Sequence, residues 1–257
     1  MKGFALPSSR MNVTRSFTEA EWAHVQRCLQ DEPVGPACTR LKCLLELLVT
    51  SGVRLEEIAQ ARWGNLRLET LPDLPPTWVL SVTGKRNKTR DVPLADEVVE
   101  LLRGHAEGFR EAEEEGGLTA SDRPLIYALE GSVPQWGLVD GKVRHVTVAE
   151  QGGGALSGAG IYALLKRFFA RAAASAGAAG LEAGRFEAAS THWMRHTFAR
   201  QSLVAGAPLE VVSELMGHAS IDTTSIYSTQ ELARKIGAVR LKRQRGLQGA
   251  RPPQDWQ

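Results

Sequence analysis

Residues 191–200 read THWMRHTFAR. Helix signals start at Thr191, and on a helix His192 and Arg195, three residues apart, share one face. An imidazole able to give or take a proton near neutrality therefore stands beside a guanidinium that stays charged at any working pH. The neighbouring His196 is read as structural. Downstream, Pro208 suits the first position of another helix and Gly217 its left-handed stop. The motif LMGHAS then carries His218, and IDTTSIYST, residues 221–229, carries Tyr227 in a second short helix. Leu232, Ile236 and Val239 recur at helical spacing in a tail rich in basic residues.

Upstream, helix and strand signals alternate. Thr18 followed by Glu21 reads as a capping box, and Trp22, Val25 and Leu29 mark one apolar helix face. After the break EPVGP, Leu41, Leu44, Leu45 and Leu48 form a buried stripe. Gly52 turns the chain, and a short helix begins near Arg54 with Leu55 and Ile58 facing inward. TWVLSV and TRDVPL pair as strands around the turn GKRNK, which puts Lys85 at the end of a hairpin; Lys88 is a weaker substitute. Helices resume near Asp96 and from Ile161, where Leu164, Leu165, Phe168 and Phe169 give an apolar face. Between Gly104 and Gly160 the pattern weakens to an acidic run around Glu113 and a short strand at Val143–Val148. The expected fold is mainly α with a small antiparallel β-sheet near residues 66–93. It fills one domain over residues 16–246, between a flexible lead-in at 1–15 and a disordered tail at 247–257.

Lys and Arg number 31 against 29 Asp and Glu, a formal charge of +2, which is modest for a nucleic-acid binder. Placement matters more than the sum. Lys85, Arg86, Lys88 and Arg90 form one basic cluster, Lys166, Arg167 and Arg171 a second, and Arg234, Lys235, Arg240, Lys242, Arg243 and Arg245 a third, so a near-neutral total can hide a basic face. No apolar run approaches the roughly 18 residues of a membrane span, and the N-terminal residues lack a signal-peptide apolar region. Cys28, Cys38 and Cys43 crowd into one helical stretch without paired metal spacing, which predicts reduced thiols.

The polar residues fit attack on a phosphodiester. Charge in that transition state spreads over nonbridging oxygens, which a planar guanidinium fork can hold with two parallel hydrogen bonds. Arg54, after a glycine turn at a helix start in TSGVRLEE, and Arg195 are the two candidates. The Tyr227 phenol is a poor nucleophile until a base or positive charge assists it. Lys85 can supply a proton to a leaving oxygen. No carboxylate cluster accompanies the histidines, which argues against a metal-dependent nuclease.

Taken together, TSGVRLEEIAQARW, VTGKRNKTRDVPL, THWMRHTFAR and LMGHAS followed by IDTTSIYST resemble the tyrosine recombinases, or phage integrase family, over about residues 17–230. The resemblance implies the tyrosine recombinase catalytic-domain fold and cleavage and rejoining of double-stranded DNA through a 3′-phosphotyrosyl link. It implies Tyr227 as nucleophile, Arg54 and Arg195 as phosphate clamps, Lys85 as general acid, His192 as general acid/base and His218 as a hydrogen-bond donor. No metal, cofactor or ATP is implied. The expected assembly is a homo-tetramer on DNA that exchanges the C-terminal helix, in a bacterial cytoplasm. Arg86 stands where many members place glycine, and residues 104–160 form an insertion. Many members carry a DNA-clamping domain ahead of this one; here only the lead-in precedes it, so DNA binding is expected to be weak and strongly salt-dependent. The alternatives are a type IB topoisomerase-like activity and a non-catalytic DNA-binding relic.

Overall fold

The structure, a computed structural model, describes residues 15–84, 87–109, 119–129, 154–217 and 234–241, and the backbone of 131–139 and 142–150. Helix α1 (Glu19–Gln30) opens on the expected reciprocal cap: Thr18 Oγ1 accepts from Glu21 N at 3.2 Å, and the Glu21 carboxylate accepts from Thr18 N at 2.7 Å. α2 (Pro36–Ser51) begins with Pro36, whose fixed φ and missing N–H suit that place. Its Leu41, Leu44, Leu45, Leu47 and Leu48 are at most 3% exposed, so it runs through the core instead of lying on it. At its end Gly52 takes φ +63°, and a side chain there would overlap the Phe198 ring; conformation and space both require glycine. α3 (Leu55–Gln60) follows at once.

The sheet lies where the alternation put it. Strands β1 (Leu66–Glu69), β2 (Thr77–Thr83) and β3 (Thr89–Leu94) are antiparallel in that order, with Leu80 opposite both Leu66 and Val92. Five successive residues of β3, Arg90 to Leu94, are buried, so both of its faces are covered. α4 (Asp96–Glu107), α5 (Gly158–Ala176), α6 (Ala183–Ala188) and α7 (Thr191–Val204) complete the main body. Phe17 knits it together: its ring packs among those of Trp22, Phe169, Phe186 and Trp193, and its N–H donates to Thr197 Oγ1 at 2.9 Å. That bond anchors α7 two residues beyond Arg195.

A second apolar cluster gathers Phe198, Val211, Val212, Leu215 and Met216 around α8 (Leu209–Leu215). α9 (234–241) joins it through Ala238, and Ile236 is 1% exposed. Arg240 Nη2 on α9 donates to Thr77 Oγ1 at 3.0 Å, tying this helix to the start of β2 of the same chain. Among the described residues no helix is long and apolar enough to cross a membrane.

Several expectations need correction. The short strand at Val143–Val148 is longer, Lys142–Glu150 (β5), and pairs with an unforeseen β4 (Gly131–Val139). Cys28 sits on α1 while Cys38 and Cys43 sit on α2, so the thiols span two helices; all three are free. Pro208 caps α8 from outside, because its ψ of 140° is not helical. Arg90 and Lys235, grouped with surface charges in the sequence, are 9% and 5% exposed. The lead-in up to residue 14, the acidic run, Leu232 and the tail at 247–257 lie outside the described residues.

Candidate active site

Arg54 precedes the first residue of α3, and Glu57, at the third helical position, turns back onto it. The Glu57 carboxylate accepts from Arg54 N at 2.7 Å and from Arg54 Nη1 at 2.9 Å. Glu57 is only 3% exposed. A buried carboxylate persists only when paired, and the second partner comes from the sheet: Arg90 on β3 donates Nη1 to Oε1 at 2.5 Å and Nη2 to Oε2 at 2.7 Å, the two-pronged fit of guanidinium to carboxylate.

The C-terminal end of α8 closes the arrangement. Its last carbonyls have no amide donors within the helix and carry the negative end of the helix dipole. Three consecutive carbonyls at and just past that end are each held by a different arginine. Leu215 O accepts from Arg90 Nε at 2.8 Å, Met216 O from Arg195 Nη2, and Gly217 O from Arg54 Nη2 at 2.8 Å. Gly217 has φ +59°, and a side chain there would begin 3.2 Å from Arg54 Nη1 and from Arg90 Cδ, so only glycine lets the chain pass between them. Arg195 Nη1 also donates to Gly52 O, linking α7 to the turn that delivers Arg54.

Two guanidiniums, of Arg54 and Arg90, thus meet one buried carboxylate, and the charge of Arg195 is added nearby, leaving an excess of positive charge. Burial pushes the Glu57 carboxyl up, but the hydrogen bonds and charge of Arg90 and the bonds from Arg54 outweigh it and hold it at about 2. Arg195, 7% exposed, is pushed down to about 9 by burial and then by the charges of Arg54 and Arg90, with Glu57 opposing. It stays cationic at neutral pH. Its neighbours repel it and its surroundings deny it water, so an incoming anion would be strongly stabilised there.

Arg54, Glu57, Arg195, His192 and Gly84 line one open cleft enclosing about 1020 Å³, solvent at its mouth included. His192 is exposed on the wall formed by the start of α7, and Arg195 lies buried one turn on. The structure therefore brings together three of the residues singled out from sequence: Arg54, His192 and Arg195. The β2–β3 hairpin reaches the same cleft, since a side chain at Gly84 would begin 2.9 Å from Glu57 Oε1. Lys88 is exposed and does not line the cleft; its carbonyl accepts from Gly84 N at 2.9 Å. His196 is half-buried and also does not line it; burial, then the charges of His192, Arg195 and Arg15, push its imidazole down. Lys85, His218 and Tyr227 lie outside the described residues, although Gly84 and Gly217, which adjoin the first two in sequence, both stand at the arginine cluster.

Sequence reasoning missed Glu57 and Arg90. Glu57 carried a weak signal, an acid three residues after a helix start. Arg90 carried less: a lone arginine in an apolar strand, TRDVPL, which has to find a buried partner.

A mainly helical chain with a three-stranded sheet, gathering two distant arginines and a histidine on one anion-ready cleft, defines the class of tyrosine recombinase catalytic domains. The chain belongs to the phage integrase family, whose model matches residues 18–125 and 162–234. It is 29% identical over 226 residues to tyrosine recombinase XerD of Xanthomonas campestris pv. campestris, covering 86% of this chain and 57% of the relative. It is 28% identical over 239 residues to tyrosine recombinase XerC of Erythrobacter litoralis, covering 91% and 62%. The chain thus spans less than two thirds of these relatives' length. In fold it is similar to the integrase from mycobacterium phage Brujita, with a TM-score of 0.50 and 22% identity over 94% of this chain and 60% of that one. It is likewise similar to the XerH site-specific recombinase bound to its difH substrate, with a TM-score of 0.50 and 20% identity over 90% and 56%.

Proposed function

We propose that the chain is the catalytic part of a site-specific DNA recombinase or integrase. It cuts and rejoins double-stranded DNA through a 3′-phosphotyrosyl intermediate. The observation that carries this reading is the convergence of Arg54, Arg195 and His192 on a single cleft with surplus positive charge. Arg54 and Arg195 hold the nonbridging oxygens of the scissile phosphate, where charge builds in the transition state. The Tyr227 phenol attacks phosphorus and gives its proton to His192. The bond from phosphorus to the 5′ oxygen breaks, and Lys85 gives that oxygen a proton. His218 donates a hydrogen bond to a phosphate oxygen. The phosphotyrosyl ester keeps the energy of the bond it replaced, so a second strand's 5′ hydroxyl can reverse the step without a nucleotide cofactor.

The recombinase names of the relatives, and the DNA substrate in the XerH complex, favour this reading over a type IB topoisomerase or a DNA-binding relic. Full recombination needs several protomers on two duplexes; a homo-tetramer joined through α9 is the arrangement we assign, within a bacterial cytoplasm. Residues 16–246 act as one catalytic domain, with 104–160 as an insertion in it. The test is a nicked suicide DNA substrate whose short cleaved strand diffuses away. The unchanged chain should accumulate a covalent protein–DNA adduct, and Tyr227→Phe should form none. An adduct that persists in Y227F would remove Tyr227 from the nucleophile's role.

A further inference from the structure

Arg90 has no part in the roles assigned above, yet its guanidinium is committed on three sides. Nη1 and Nη2 meet the Glu57 carboxylate at 2.5 and 2.7 Å, and Nε meets Leu215 O at 2.8 Å. It is 9% exposed and does not line the cleft, so it stands behind the wall that a phosphate would touch. Three pieces of chain far apart in sequence share this one side chain. They are α3 with Arg54, the β2–β3 hairpin, and the end of α8 that leads to His218. We infer that Arg90 is a positioning residue: it locks the β2–β3 hairpin, and with it the segment carrying Lys85, onto the Arg54–Glu57 pair. The inference rests on the reading of Lys85 as proton donor given under Proposed function.

The physical reason lies in the shape of the group. Among the described residues the β2–β3 ribbon has no third strand beside it past Leu80, and a single point charge would leave its angle free. A planar fork bound at both prongs, with its third nitrogen fixed to a carbonyl on another element, sets both distance and angle. Gly84, the last residue before Lys85, completes the fit by standing directly against Glu57. A lysine at position 90 would keep the charge and lose the fork.

The test compares Arg90→Lys with the unchanged chain on two suicide substrates that differ only in the leaving atom, a 5′ oxygen or a 5′ sulfur. Sulfur departs as a thiolate and needs no proton, so it bypasses Lys85. R90K should form the adduct about 100-fold more slowly on the oxygen substrate and within about threefold of normal on sulfur, with DNA affinity changed by less than about threefold. Amide hydrogen exchange across residues 89–94 should quicken in R90K while α2 keeps its protection. Equal slowing on both substrates would overturn the inference, because Arg90 would then act through Arg54 or the fold at large. No slowing on either would overturn it as well. If the unchanged chain forms no adduct on either substrate, the recombinase reading fails; unaltered exchange at 89–94 in R90K would then separately overturn the locking. Arg90→Gln, read in the same ways, decides the matter if the lysine variant does not fold.

Discussion

Arg195 shows how much can depend on one side chain. It bridges Gly52 and Met216 from a nearly waterless position, and Arg54 and Arg90 press their charge upon it. Arg195→Lys should slow adduct formation about 100- to 1000-fold under single-turnover conditions, the usual loss when one preorganised donor is removed from a transition-state oxygen. Glu57 is the counterweight. Its folded pKa of about 2 lies below the ordinary 4.5, so its stabilising contribution is complete above 4.5 and is lost as pH falls toward 2. Glu57→Gln should cost about 3–5 kcal/mol at pH 7, since it leaves buried guanidinium charge uncompensated. It should also flatten the fall in stability between pH 5 and pH 3, as measured by urea unfolding. The three motif residues of the cleft were legible because each sat in a distinctive local setting. Glu57 and Arg90 were not, because a pair 33 residues apart is legible only once the fold has closed. In isolation each looks like a solvated charge.

Elements were legible in proportion to the regularity of their apolar spacing. The leucine stripe of α2, the strand β2 and its return strand β3 lie where they were expected. The β4–β5 pair was only half-read, because Gly131, Pro134 and Gly137 interrupt any period in β4 and proline argues against an interior strand. The turn after α2 offers a sharper test of how elements hold the site. Gly52→Ala forces a side chain into a left-handed position and against Phe198. It should destabilise the fold by about 1–3 kcal/mol in denaturant unfolding. It should also slow adduct formation, because Gly52 O is one of the two carbonyls that hold Arg195.

At the scale of the molecule, a formal charge of only +2 on the DNA-binding chain proposed above predicts binding driven by local patches. Fluorescence anisotropy on duplex DNA should show affinity falling about tenfold or more between roughly 50 and 200 mM salt. Affinity that ignored salt would point to contacts other than phosphates.

The grip on Gly217 has one more effect. Its carbonyl is fastened to Arg54, and α9, which starts at residue 234, is seated on α8 and β2. Tyr227 is on a leash moored at both ends to its own protomer. From the first mooring about ten residues of chain reach no farther than roughly 36 Å, and from the second about seven reach roughly 25 Å. With α9 docked, any place taken by the phenol has to satisfy both limits at once.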